Sequence, residues 1–338
     1  MWKWVVGALL ITAISFGGYL YFQHTYSLSI VSPIGKFLEK PLDKYTIERL
    51  SRRVFAGSQI VFDEPVATTS GYTVYQFYFL SENKRVTGLA HVPAGASAEN
   101  KKPVIVQFRG YVDREKYAAG EGTRRSAEVF AKNGFISLAP DFLGYGGSAS
   151  PSADIFEERF ETYTTGLNLL ASIKTLPMAD PDRIGVWGHS NGGQIALTVL
   201  EVSSGRAGSR SAGQKPYPTT LWAPVSKPFP YSILYYTDDA KDHGKMLRRE
   251  LAKFENDYDA EQYSLINYLD RIAAPLQIHQ GTADDAVPKK WSDELVKVLK
   301  EKKKDVDYFV YPGADHNMVG AWNTVVSRDI AFFRRHLK

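Results

Sequence analysis

The chain has 338 residues, 44% of them hydrophobic and 23% charged, the balance of a globular protein with room for one large core or two small ones. Its net charge is +4 and no long basic run stands out, which argues against nucleic acid as a partner. It contains no cysteine, which excludes disulfides, cysteine nucleophiles and thiolate metal sites and leaves the compartment open.

The first feature in chain order is a stretch of 20 residues, Trp4 to Gln23, without a charged side chain. As a helix it would span about 30 Å, the thickness of a bilayer core. Trp2 and Trp4 flank one end and Tyr19, Tyr21 and Phe22 the other, as rings at headgroup level would. The rival is a cleaved signal peptide, with Lys3 as its charged start and Ala13-Ile14-Ser15 as a poor small-x-small cleavage site. The apolar stretch runs past that site, so residues 1–23 are expected to be a retained transmembrane helix. Membrane contact would run through residues 4–23, with a single pass and an extracytoplasmic body. Residues 24–57 read as a polar connector with a short helix around 45–53, and the folded domain is expected over 58–338.

Within that domain, "YTVYQFYFL" (72–80) and "RVTGLAHVP" (85–93) are β-rich runs joined by "SENK", the pattern of an antiparallel hairpin. After Pro103 come short apolar runs that mostly do not alternate: 103–108, 134–140, 183–188, 219–224, 275–280 and 307–312. Such runs suit strands buried on both faces of a parallel sheet. Helical patterns at 122–133, 154–175, 191–203, 289–303 and 321–337 separate most of them. This alternation predicts an α/β fold, a mostly parallel doubly wound sheet with helices on both faces. Residues 203–218 read as a solvated loop. Residues 226–272 form a small helical insertion that either caps a pocket or lies peripherally.

The stretch "VWGHSNGGQIAL" (186–197) places glycines two residues either side of Ser190, between a strand and a helix. Glycine in an element interior costs about 0.5–1 kcal/mol relative to alanine, so the clustering needs a geometric reason. A nucleophile elbow supplies one: Ser190 takes a strained conformation in a sharp turn, and Gly188 and Gly192 remove Cβ atoms that would collide there. The helix beginning at Asn191 points its free N–H groups at whatever charge forms on the serine, so the Asn191 amide is one candidate oxyanion donor.

A serine hydroxyl needs a base, and the base needs an orienting carboxylate, in the chain order Ser, Asp or Glu, His for this kind of turn. "HQGTADDAVP" (279–288) offers Asp284 and Asp285 after one strand, and "YPGADHNM" (311–318) offers His316 after the next. The other histidines are badly placed: His24 in the connector, His91 ending the hairpin, His243 in the insertion and His336 in the last helix. His189 adjoins the serine but points another way, and His279 lies within a strand. "GYGGSA" (144–149) matches a loose dinucleotide pattern, but its strand and helix context is wrong, so no cofactor is expected. No P-loop, HExxH or paired-histidine metal site is present.

"GHSNGG", "GTADDAVP" and "GADHNM", led in by "ADPDRIGVWG", resemble the catalytic domain of the prolyl oligopeptidase family of serine peptidases, within the α/β-hydrolase fold. The resemblance covers about residues 85–338. It implies that the acid is the first aspartate, Asp284, that the base is His316, and that Arg109-Gly110-Tyr111 supplies the second oxyanion donor through Tyr111. Family members restricted to peptides usually carry a β-propeller before this domain; ahead of it here, only a hairpin and an anchor are expected. The implied function is a serine-type peptidase acting through an acyl-enzyme on small peptide or ester substrates. A carboxylesterase or thioesterase of the same fold is the alternative, and a catalytically silent, membrane-anchored binding module is the alternative of a different class.

Overall fold

A computed structural model describes residues 40–204, 216–237 and 241–338. The apolar span expected over residues 4–23 and most of the loop 203–218 lie outside the described residues. Among the described residues no helix is long and apolar enough to cross a membrane.

The apolar runs become strands: β1 (Val61–Thr68), β2 (Tyr72–Ser81), β3 (Lys84–Pro93), β4 (Lys102–Phe108), β5 (Ile136–Pro140), β6 (Ala179–His189), β7 (Thr219–Trp222), β8 (Leu276–Gly281) and β9 (Val306–Tyr311). They form one sheet in the order β1-β2-β3-β5-β4-β6-β7-β8-β9. Strands β1, β2, β3 and β5 pair antiparallel, and the rest of the sheet is parallel. The hairpin turn between β2 and β3 is Glu82-Asn83, both at positive φ, so its twist matches that of the strands it joins.

Lack of alternation in the central strands reflects burial on both faces. In β4, Val104, Val106 and Phe108 enter one apolar cluster, and Ile105 enters the other. Helices cover both sides, including Arg124–Lys132, Ile155–Ser172, Asn191–Ser203, Lys289–Glu301 and Trp322–His336. Asp154 caps the second of these by accepting from the Phe156 and Glu157 amides, a contribution of about 1 kcal/mol.

Two features differ from the sequence reading. The compact unit begins at Leu42 rather than at 58. Leu42, Tyr45, Ile47 and Leu50 are buried in the core, so the helix Ile47–Arg52 belongs to the domain and not to a connector. Strand β1 was not foreseen. It is an exposed edge strand whose pairing is irregular around Pro65, so it carries no apolar alternation, and its Asp63, Glu64 and Pro65 suit an edge that must not recruit further strands.

Among its described residues the insertion holds helices at Tyr231–Leu234 and Lys245–Asp257 and three 3-10 turns. Rings fasten it to the helix Ile155–Ser172: Phe254 lies 5.0 Å from Phe156, and Tyr263 stacks on Phe160 at 4.9 Å. Each such pair adds about 0.5–1.5 kcal/mol beyond its area.

After β4 the chain steps to one side of that strand to form β5, then crosses to the other side to form β6. The crevice beyond the carboxyl ends of β4 and β6 is therefore the switch point of the sheet, where ligands bind in open α/β folds. Arg109, Gly110 and Tyr111 follow β4, and Ser190 follows β6.

Candidate active site

Ser190 sits between β6 and the helix Asn191–Ser203 with φ 56° and ψ −121°, a region costing a non-glycine residue about 1–3 kcal/mol. Its backbone is pinned on both sides: Ser190 N donates to Trp222 O at 2.9 Å, and Ser190 O accepts from the Gly193 and Val225 amides at 2.9 and 3.0 Å. These bonds hold a conformation the residue would not choose alone. A Cβ on Gly188 would lie 2.7 Å from Gly192 O, inside the turn itself. A Cβ on Gly192 would lie 1.9 Å from Phe108 O, so this second glycine clears space for the end of β4 rather than for the turn. Gly193 makes room for Pro224 after β7.

His316 and Asp284 meet across the loops after β9 and β8. His316 Nδ1 lies 2.9 Å from Asp284 Oδ2 and 3.0 Å from Oδ1. Oδ1 also accepts from the Ala286 and Val287 amides, and Oδ2 accepts from Gln280 Nε2. Burial alone would raise the carboxyl pKa, but the bonds from His316, Val287 and Gln280 outweigh it and hold Asp284 below the ordinary aspartate value. The result is a buried, ionised carboxylate that fixes the imidazole tautomer. Asp285 is exposed and supplies none of these bonds.

His189 carries more than the sequence showed. Its ring centroid is 4.6 Å from that of His316, and its Nε2 is 3.0 Å from the His316 carbonyl oxygen. Burial first, and the neighbouring His316 second, push its pKa down to about 4, so at neutral pH it is an uncharged prop against the His316 ring. Ser190 Oγ and His316 are not hydrogen-bonded within 3.5 Å. In free enzymes this bond is often long and tightens only with substrate.

The Asn191 and Tyr111 amides donate to no protein group among the described residues. Both residues line a cavity of about 430 Å³ beside the elbow. Its walls are largely apolar, from Phe142, Leu143, Ile155 and Ile195, with Arg109, Glu158 and Arg159 as charged members. Ile233, Thr237, Met246 and Leu247 of the insertion complete it, so the insertion caps a pocket. Burial first, and the charges of neighbouring groups including Asp284 after it, raise the pKa of Tyr236 in the insertion. Among the described residues no group of three or more His, Asp or Glu is placed to hold a metal ion. His279 makes a second histidine–carboxylate contact, to Asp329 at 3.0 Å, but both side chains are wholly buried and brace the sheet against the last helix.

Fold and site define a class: a serine hydrolase of the α/β-hydrolase fold. Residues 223–338 match the model of the prolyl oligopeptidase family. A curated relative, dipeptidyl peptidase family member 6 from Caenorhabditis elegans, is 27% identical over 143 residues. That match takes in 42% of this chain and spans 18% of the relative's length. Among solved structures, acetyl xylan esterase 1 from Thermoanaerobacterium superposes with a TM-score of 0.61 and 17% identity, over 86% of this chain and 93% of that one. The acylaminoacyl peptidase of Pyrococcus horikoshii superposes with a TM-score of 0.58 and 18% identity, over 79% of this chain and 42% of that one. At these identities the structures speak to the fold alone.

Proposed function

We propose that the protein cleaves acyl compounds through an acyl-enzyme on Ser190, with His316 as base, Asp284 as its orienting carboxylate, and small peptides as the leading substrate class. The observation that carries this reading is the 2.9 Å bond between His316 and a buried, ionised Asp284, beside a serine held at positive φ on a helix N-terminus. Ser190 Oγ attacks the carbonyl carbon while its proton passes to His316 Nε2. The carbonyl oxygen, now an oxyanion, accepts from the Asn191 and Tyr111 amides. His316 then gives its proton to the leaving amine or alkoxide. Water repeats the sequence on the acyl-serine and restores the free hydroxyl. The apolar cavity beside Asn191 takes the acyl side chain or its neighbour.

Peptide substrates are favoured by the family match over residues 223–338. Ester cleavage is the second reading, favoured by a likeness to the acetyl xylan esterase that extends over 93% of that chain. The tetrahedral intermediate is common to both, so the pocket and leaving-group protonation decide. A panel of p-nitrophenyl esters beside di- and tripeptide p-nitroanilides, at equal enzyme, tests it. Anilide cleavage above the Ser190→Ala background supports the peptidase; ester turnover without it makes the protein an esterase.

For location, residues 4–23 are proposed as a retained membrane anchor, on the strength of their uncharged length. Carbonate-washed membranes should retain a chain that still begins with its first residues by mass spectrometry. A soluble product starting near Phe16 would mean a cleaved signal.

A further inference from the structure

The Arg109 side chain occupies an unusual place for a charge. It is 5% exposed, with its guanidinium 4.0 Å from the Tyr145 ring centroid and 4.6 Å from that of Tyr117. Packed against both rings, which meet each other edge-on, it donates from Nη1 to the Gly110 carbonyl at 2.9 Å and from Nη2 to the Asp141 carbonyl at 3.0 Å. Tyr117 is fixed in turn by its hydroxyl, which donates to Asp141 Oδ1 at 2.5 Å, and Asp141 Oδ2 accepts from Thr87. The guanidinium thus ties the segment after β4 to the segment after β5 at two backbone points.

The Gly110 carbonyl and the Tyr111 amide belong to one peptide unit. A trans peptide is planar, and its C=O and N–H point in opposite directions. Clamping the carbonyl onto the guanidinium therefore sends the Tyr111 N–H away from it. Gly110 itself lies against the nucleophile: a Cβ there would be 3.1 Å from Ser190 Cβ. The Tyr111 amide has no acceptor among the described residues, as a donor kept for a ligand requires.

We infer that Arg109 is a positioning residue for the oxyanion site: by gripping the Gly110 carbonyl it sets the Gly110–Tyr111 peptide plane and aims the Tyr111 N–H at the developing oxyanion. The inference rests on the acyl-enzyme reading above. Arginine suits it because its planar fork packs against two rings while separate nitrogens reach two carbonyls, a spread that a compact, strongly hydrated ammonium matches poorly. The hydrogen bonds of Arg109 go to the Gly110 and Asp141 carbonyls and not to Ser190. Its effect passes through the peptide plane and belongs to the transition state, where the oxyanion forms.

The test compares wild type with Arg109→Lys and Arg109→Ala on a p-nitrophenyl ester, alongside the rate of fluorophosphonate labelling and the melting midpoint. Losing one oxyanion donor costs about 100- to 1,000-fold, and a donor misplaced by about 1 Å costs on the order of 100-fold. Arg109→Lys keeps the cation and stem, so it should fold, with kcat lowered about 10- to 100-fold, KM within threefold, and labelling slowed by the same factor as kcat/KM. A melted-out Arg109→Ala leaves the decision to Arg109→Lys. Folded Arg109→Lys with wild-type kcat, or with its loss confined to KM, overturns the inference. A wild type that neither labels nor turns over overturns the acyl-enzyme reading instead, so the two failures are distinct.

Discussion

Replacing Asp284 by asparagine removes one charge and almost no volume, so its effect isolates what the carboxylate does for His316. Every partner of the carboxylate is a donor: the Ala286 and Val287 amides at 3.0 and 2.8 Å, Gln280 Nε2 at 3.0 Å and His316 Nδ1 at 2.9 Å. An asparagine has one acceptor oxygen and an NH2 group that must itself donate. Turning its oxygen to the two backbone amides leaves its NH2 facing Gln280 and His316. Gln280 cannot flip to help, because its oxygen already accepts from Ser292 at 2.7 Å. The only acceptor within reach is then Nδ1 of an imidazole protonated at Nε2, the tautomer that cannot take a proton from serine. A wrong tautomer of this kind costs about 10,000-fold in kcat, equivalent to about 5 kcal/mol of barrier. Asp285→Asn, at an exposed position outside the network, should stay within about tenfold. Steady-state turnover of one ester at pH 7 and pH 9 measures both. If Asp285→Asn is the slower variant, or if both stay within tenfold of wild type, the tautomer argument is wrong.

Gly192→Ala forces a Cβ to 1.9 Å from Phe108 O, so the end of β4 must retreat by more than an ångström and carry residues 109–111 with it. Turnover should fall at least 100-fold and the melting midpoint should drop; a variant with normal kcat would show that the loop does not matter. His91 and His189 are both held near a pKa of about 4 by burial, against about 6.5 in the unfolded chain. The unfolded state therefore binds more protons between those values, and stability should fall as pH drops from about 6.5 to about 4, by at most about 3 kcal/mol for each residue. His91→Gln, outside the site, should flatten that slope in urea titrations at several pH values; an unchanged slope would remove His91 from the account.

The parallel strands and the elbow were legible because their physics is local. Strands buried on both faces read as short unbroken apolar runs, and a serine flanked by glycines at two residues has few structural uses. Position in the chain order Ser, Asp, His then singled out the loops after β8 and β9. Choosing between Asp284 and Asp285 was not possible from spacing, because only the fold shows which carboxylate the amides of Ala286 and Val287 turn toward His316. The prop beneath His316 was missed because His189 is recognised only by a contact 127 residues away in the chain. Strand β1 and the docking of residues 42–57 escaped for opposite reasons. The strand is exposed and broken up by Asp63, Glu64 and Pro65, while the segment buries only a few separated residues, too few to stand out against its charged neighbours.

The central claim is that Ser190 is the nucleophile, and covalent labelling tests it most directly. Wild-type protein treated with a fluorophosphonate and digested should carry a single adduct, on the peptide containing Ser190, and Ser190→Ala should carry none. Equal labelling of the two proteins, or an adduct on a different residue of the wild type, would contradict the account.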